Sequence, residues 1–183
     1  LYHTDFLAES QARGWYLLGP LSHSPVGGPM GSTINFGSAE SQKFTRAGLE
    51  WVLENYPIDR KRIYGVGFSM GGAALTSYAA RHMDPQAGMF AALVNHTGSV
   101  DQPDTYLSEP AVRPLMETLF GGTPAQQPFR YRQASTIELD PISGNLLTAG
   151  VHMALNLSAT PCQVWWADQD PLAYLTHQTK VFA

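Results

Sequence analysis

Ser69 is the residue in this chain whose neighbours best fit it for covalent chemistry. It stands in Gly67-Phe68-Ser69-Met70-Gly71, a G-x-S-x-G run with a strand-like stretch before it and a helix-like stretch after it. In that context a serine projects its hydroxyl from a sharp strand-to-helix turn. Glycines at 67 and 71 are expected to remove side chains that would collide where the chain reverses, and Gly72 to let the helix pack closely behind. A serine opening a helix also lies beside unpaired backbone N–H groups and the positive end of the helix dipole. Met70 N–H is therefore the expected first donor to an oxyanion, and the chemistry implied is acyl transfer. The plainer reading of the same letters is a glycine-rich turn carrying an ordinary serine.

A serine hydroxyl is a weak nucleophile at neutral pH, so it needs an imidazole to take its proton and a carboxylate to orient that imidazole. Val164-Trp165-Trp166-Ala167-Asp168-Gln169-Asp170-Pro171 reads as a strand running into a loop. A side chain just past the carboxyl end of a strand lies at the active edge of a parallel sheet. Asp170 is the expected acid and Asp168 the reserve, although either could instead form a turn or cap a helix ahead of Leu172. Among the six histidines, His96 is the best placed to act as base or to contact substrate, because Asn95-His96-Thr97-Gly98 follows a strand at that same edge. His177 follows Asp170 on an expected helix leaving the site, and His82 lies about three turns along the helix from Ser69. His3, His23 and His152 fall in segments whose direction the sequence does not give.

The elements that must position these groups alternate between helix and strand. Phe6 to Arg13 reads as a short helix closed by Gly14, Trp15 to Leu18 as a buried strand, and Ser22 to Gly37 as a loop. From Ser38 to Tyr56 the apolar residues Phe44, Ala47, Trp51, Val52 and Tyr56 recur at helical spacing, with Ser38 or Ser41 as cap and Pro57 as stop. Strands are expected at Ile63 to Phe68, Phe90 to Val94 and Cys162 to Trp166, with a helix from Gly71 to Met83. This order predicts an α/β fold: a mostly parallel sheet with helices on both faces. Between the last two strands, an insertion at about residues 99–160, rich in proline and glycine, is expected to cover or shape a pocket. Trp165 and Trp166 should point to opposite faces of their strand, so at most one can line such a pocket.

Composition narrows the partners. The 183 residues fit one domain, and 44% hydrophobic content suffices for a packed core. A formal charge of −4 with Arg60-Lys61-Arg62 as the only basic cluster leaves no face for nucleic acid. No apolar run approaches the roughly 20 residues needed to cross a bilayer, and residues 1–10 do not read as a signal peptide. There is no H-E-x-x-H, no phosphate-binding glycine loop and no dinucleotide fingerprint, so no metal and no cofactor are implied. Asp59 with its basic neighbours reads as a turn, and the single Cys162 as a buried core residue.

With these residues in place, a family resemblance can be stated. GVGFSMGG, preceded by Tyr56-Pro-Ile-Asp-Arg-Lys-Arg-Ile-Tyr64, resembles the esterase and peptidase branch of the α/β-hydrolase superfamily, which includes prolyl oligopeptidase-like enzymes, feruloyl esterases and polyhydroxybutyrate depolymerases. Residues 120–135, from Phe120-Gly-Gly-Thr-Pro to Ser135, are similar to that branch's G-x-P…Y…S segment. Pro161 to Pro171 matches its P…G-x-x-D-P pattern, with Ala167 at the usual glycine and Asp170 at the acid. The resemblance implies an α/β-hydrolase fold, a small-molecule ester as substrate, and a secreted or periplasmic location. It also implies an H-G-G type oxyanion loop before the first helix and a histidine some tens of residues beyond the acid, and this sequence shows neither. The chain therefore reads as an internal stretch of that fold, whose open sheet edges predict association with another chain that completes the sheet. Three readings remain: an ester hydrolase, a peptidase of the prolyl oligopeptidase type, and an inactive module retained for binding or structure.

Overall fold

A computed structural model describes residues 4–20, 34–82, 89–147 and 152–183. The expected loop between residues 22 and 37 lies outside the described residues except at its end, as do His3 and His23. The first helix, α1, covers Phe6–Arg13 and stops at Gly14, whose φ of 64° places it in the left-handed region that closes helices. Helix α2, Ala39–Asn55, is capped by Ser38, whose hydroxyl accepts from Ser41 N–H at 3.3 Å. Pro57 follows two residues beyond its end, where it cannot continue a helix.

The stretch 15–18 is not the buried strand that its apolar residues suggest. Trp15, Tyr16, Leu17 and Leu18 are all exposed, and no described strand pairs with them. Apolar character alone does not make a strand without a ladder to satisfy its backbone. This stretch instead lies along α2, with the Tyr16 ring 4.9 Å from that of Tyr56.

Three strands form a parallel sheet in the order β1 (Tyr64–Phe68), β2 (Ala92–His96), β3 (Cys162–Trp165). Helix α3, Met70–Arg81, connects the first two and packs on the face bearing Gly65, Gly67 and Leu93. β2 begins two residues later than its apolar run suggests. Phe90 packs edge-on to Tyr78 of α3, and the ladder proper opens at Tyr64 opposite Ala92. Asn95 and His96 consequently lie inside the strand. On the other face of β1, Tyr64, Val66 and Phe68 are exposed, and the Phe6 ring of α1 lies 6.1 Å from that of Phe68.

The insertion, which the sequence marks only by its prolines and glycines, is partly helical. It holds α4 (Gln102–Ser108), α5 (Arg113–Phe120) and α6 (Pro128–Ala134), each with proline in its first turn, followed by a 3-10 turn at Met153–Leu157. Helices of seven or eight residues are too short to show clear periodicity, but proline in the first turn is the signal that could have marked them. Met116, Phe120, Tyr131 and Ala134 pack with Phe36 into a core against which Met70 is seated. Burying each large apolar side chain contributes about 1.5–3 kcal/mol, so the insertion is a folded layer rather than a draped loop. α7, Ala173–Phe182, closes the chain, and its Gln178 reaches Asp101 and Thr105 at the start of α4.

Candidate active site

Ser69 occupies the one-residue junction between β1 and α3 and has φ 49° and ψ −119°. Its side chain is exposed and makes no capping bond to the helix it opens. A positive φ on a residue with a Cβ costs of order 1–3 kcal/mol and persists only where surrounding structure enforces it. Here the enforcement is visible. Ser69 N–H donates to His96 C=O at 3.0 Å, and Ser69 C=O accepts from Gly72 and Ala73 N–H of α3 and from Ser99 N–H.

The other non-glycine residues with positive φ among the described residues are Phe36 and Thr97. Thr97 follows β2 directly beside the elbow, and Phe36 lies in the cluster against which Met70 packs. Strain therefore gathers around Ser69, at the carboxyl ends of β1 and β2. The 34–37 turn joins this region through Asn35 N–H, which donates to Met70 Sδ at 3.3 Å. Sequence reading passed over this turn, although Asn35-Phe36-Gly37 carries the Asx-turn signature and Gly37 N–H does donate to Asn35 Oδ1.

The two motif glycines differ. A Cβ at Gly67 would lie 2.3 Å from Gly71 O and 2.7 Å from Gly72 N, so only glycine lets the helix start this close to the strand. A Cβ at Gly71 would meet nothing within 4 Å, and the expected collision there is absent. The close packing expected of Gly72 is against Asn95, whose Oδ1 would be 2.6 Å from an added Cβ.

Met70 is the first helical residue, so its N–H has no partner within α3, at the end of a helix that favours anions. His96 is the last residue of β2, opposite Phe68 in register, and its ring lies tilted against that of Phe68 at 5.2 Å. Its Nδ1 lies 3.3 Å from Thr97 Oγ1, so the structure brings its backbone to Ser69 and leaves its imidazole over Phe68.

Asp170 follows β3 at the same sheet edge, and its Oδ1 accepts from Leu172 N–H at 2.8 Å as part of a turn. Asp168 is held by Lys180 Nζ at 2.5 Å, and that hydrogen bond depresses its pKa. Lys180 also lies 6.0 Å over the Trp166 ring. The remaining described histidines outside the site include His82, bonded to Tyr78 C=O, and His177, bonded to Gly144 C=O. Cys162 is half-buried rather than fully in the core, and burial raises its thiol pKa. Among the described residues no three His, Cys, Asp or Glu side chains group as metal ligands, and no helix is long and apolar enough to cross a membrane.

No family model matches the chain. No curated protein matches it either. Among solved structures it is similar to an esterase/lipase from an uncultured bacterium, at 13% identity and a TM-score of 0.43, covering 79% of this chain and 58% of that one. It is also similar to apo prolyl oligopeptidase B from Galerina marginata, at 14% identity and a TM-score of 0.44, covering 78% of this chain and 23% of that one. The chain thus spans little more than half of the first and about a quarter of the second.

Proposed function

We propose that the chain is the nucleophile-bearing core of an α/β-hydrolase-fold serine hydrolase that cleaves carboxylic esters through an acyl-enzyme on Ser69. The observation that carries this reading is the elbow. An exposed serine with φ 49° sits between a parallel strand and a helix start, with a glycine below it whose place a Cβ could take only by moving the helix.

In this reading Ser69 Oγ attacks the ester carbonyl carbon while an imidazole takes its proton. The negative charge that develops on the carbonyl oxygen is met by Met70 N–H and the positive end of α3. Collapse of the tetrahedral intermediate expels the alcohol, which takes the proton from the imidazolium. Water then attacks the acyl-enzyme by the same route and releases the acid. His96 is the candidate base, and for that role its ring must turn from Phe68 towards Ser69; Asp170 is the candidate orienting acid. Ester is preferred to peptide because among the described residues no acidic cluster is evident to anchor a substrate amine.

The test is hydrolysis of short p-nitrophenyl acyl esters by the chain and by its Ser69→Ala and His96→Ala variants. The proposal expects turnover that Ser69→Ala abolishes. Loss in His96→Ala as well would assign the base, while retention would send the search for it elsewhere. Absence of turnover in the unmodified chain would favour the second reading, an inactive module of the same fold. That reading is supported by the bonds that His96 makes to Thr97 and Asp170 to Leu172, neither of which is directed at Ser69.

A further inference from the structure

The polar group most at odds with its surroundings is Asn95. It is fully buried in β2 between apolar Leu93 and Val94 and exposed His96, and neither Oδ1 nor Nδ2 finds a hydrogen-bond partner among the described residues. Burying an amide without partners costs free energy, and the same position in a parallel strand would ordinarily hold valine or leucine.

Its neighbours are the elbow itself. Asn95 pairs in register with Gly67, on the face that α3 covers. A Cβ at Gly72 would come 2.6 Å from Asn95 Oδ1, and a Cβ at Gly98 only 2.3 Å from it. The amide thus fills the space left by glycines on two sides: the first turn of α3 and the loop after β2. That loop supplies Ser99 N–H to Ser69 C=O at 3.4 Å and contains the strained Thr97. The start of α3 and this loop meet directly, since a Cβ at Gly72 would also lie 2.8 Å from Gly98 Cα, and the Asn95 amide packs against both where they meet.

Resting on the hydrolase reading above, we propose that Asn95 is a positioning residue: its buried amide buttresses the start of α3 and the 97–99 loop where they meet, and so fixes the backbone of Ser69 and the direction of Met70 N–H. Truncating it leaves a space into which either segment can shift. Displacements of about an ångström at reacting groups can cost as much as a hundredfold in rate.

The test compares Asn95→Ala, and Asn95→Ser should the first variant not fold, with the unmodified chain on a p-nitrophenyl ester. The expected result is a kcat lowered tenfold or more, a KM within about twofold, and a melting temperature unchanged or raised because an unbonded amide has been removed. A lowered melting temperature with unchanged kcat would reduce Asn95 to ordinary packing and overturn the proposal. If the unmodified chain shows no Ser69-dependent turnover, the hydrolase reading fails on its own, and crystal structures of the chain and of Asn95→Ala decide the positioning claim. Ser69 moving away from a φ near 49° in the variant supports it, and an unmoved Ser69 overturns it.

Discussion

Alanine at Gly67 and alanine at Gly71 are the same substitution at two glycines that the motif treats alike, and the structure predicts opposite results. At Gly67 the new methyl would lie 2.3 Å from Gly71 O, 2.6 Å from Gly71 C and 2.7 Å from Gly72 N. All three are backbone atoms in the first turn of α3, so relief requires moving the helix about an ångström off the strand to reach the roughly 3.5 Å at which non-bonded contacts become favourable. Overpacking of this kind costs about 3 kcal/mol, at the upper end of the usual range, since no flexible side chain can yield. At Gly71 the methyl meets nothing within 4 Å, and the residue is helical. Replacing glycine by alanine inside a helix gains about 0.5–1 kcal/mol. For a domain of this size, about 2–4 °C accompany each kcal/mol, so Gly67→Ala should melt about 6–12 °C below the unmodified chain and Gly71→Ala about 1–4 °C above it. Thermal unfolding followed by far-ultraviolet circular dichroism, supported by urea midpoints, measures both. A Gly67→Ala variant melting within 2 °C of the unmodified chain would refute the steric account of the elbow, and so would equal destabilisation at the two sites.

Three further outcomes are expected. Asp101 is buried at the start of α4, and burial raises its pKa to about 7 although Leu139 and Asp104 N–H donate to it. The folded chain therefore holds this proton more tightly than the unfolded one. Its contribution is fully present below the ordinary carboxylate range and is lost as pH rises from about 4 to about 7. Melting temperature against pH should show this fall, and Asp101→Asn should flatten it; parallel profiles for the two proteins would remove Asp101 as its source. Asp170→Ala should lower ester turnover by several powers of ten, while Asp168→Ala, which loses only the exposed pair with Lys180, should leave kcat within about twofold; equal losses would show that the acid was misassigned. Finally, β1 pairs only with β2 among the described residues, and its Tyr64, Val66 and Phe68 are exposed. Light scattering after size exclusion should find self-association or capture of a strand-bearing partner, and a monodisperse monomer would count against an open edge that seeks one.

What the sequence determined by itself are features set by short-range physics. Gly14 closes α1 and Ser38 caps α2 because a left-handed residue and a side-chain acceptor act within one turn of where they stand. The elbow was legible for the same reason, since strand, G-x-S-x-G and helix follow one another without a gap. Tertiary structure alone decided which residues meet. Periodicity placed the second strand two residues early because it cannot see Phe90 leaving the ladder to pack on Tyr78. It took residues 15–18 for a buried strand because apolar letters do not reveal whether another strand lies alongside. The sequence left Asn95 just past the strand, and only the fold placed it inside β2 with Gly72 and Gly98 brought against it from a helix and a loop. Burial, partner and strain arise between residues far apart in the chain, and only the folded backbone sets those distances.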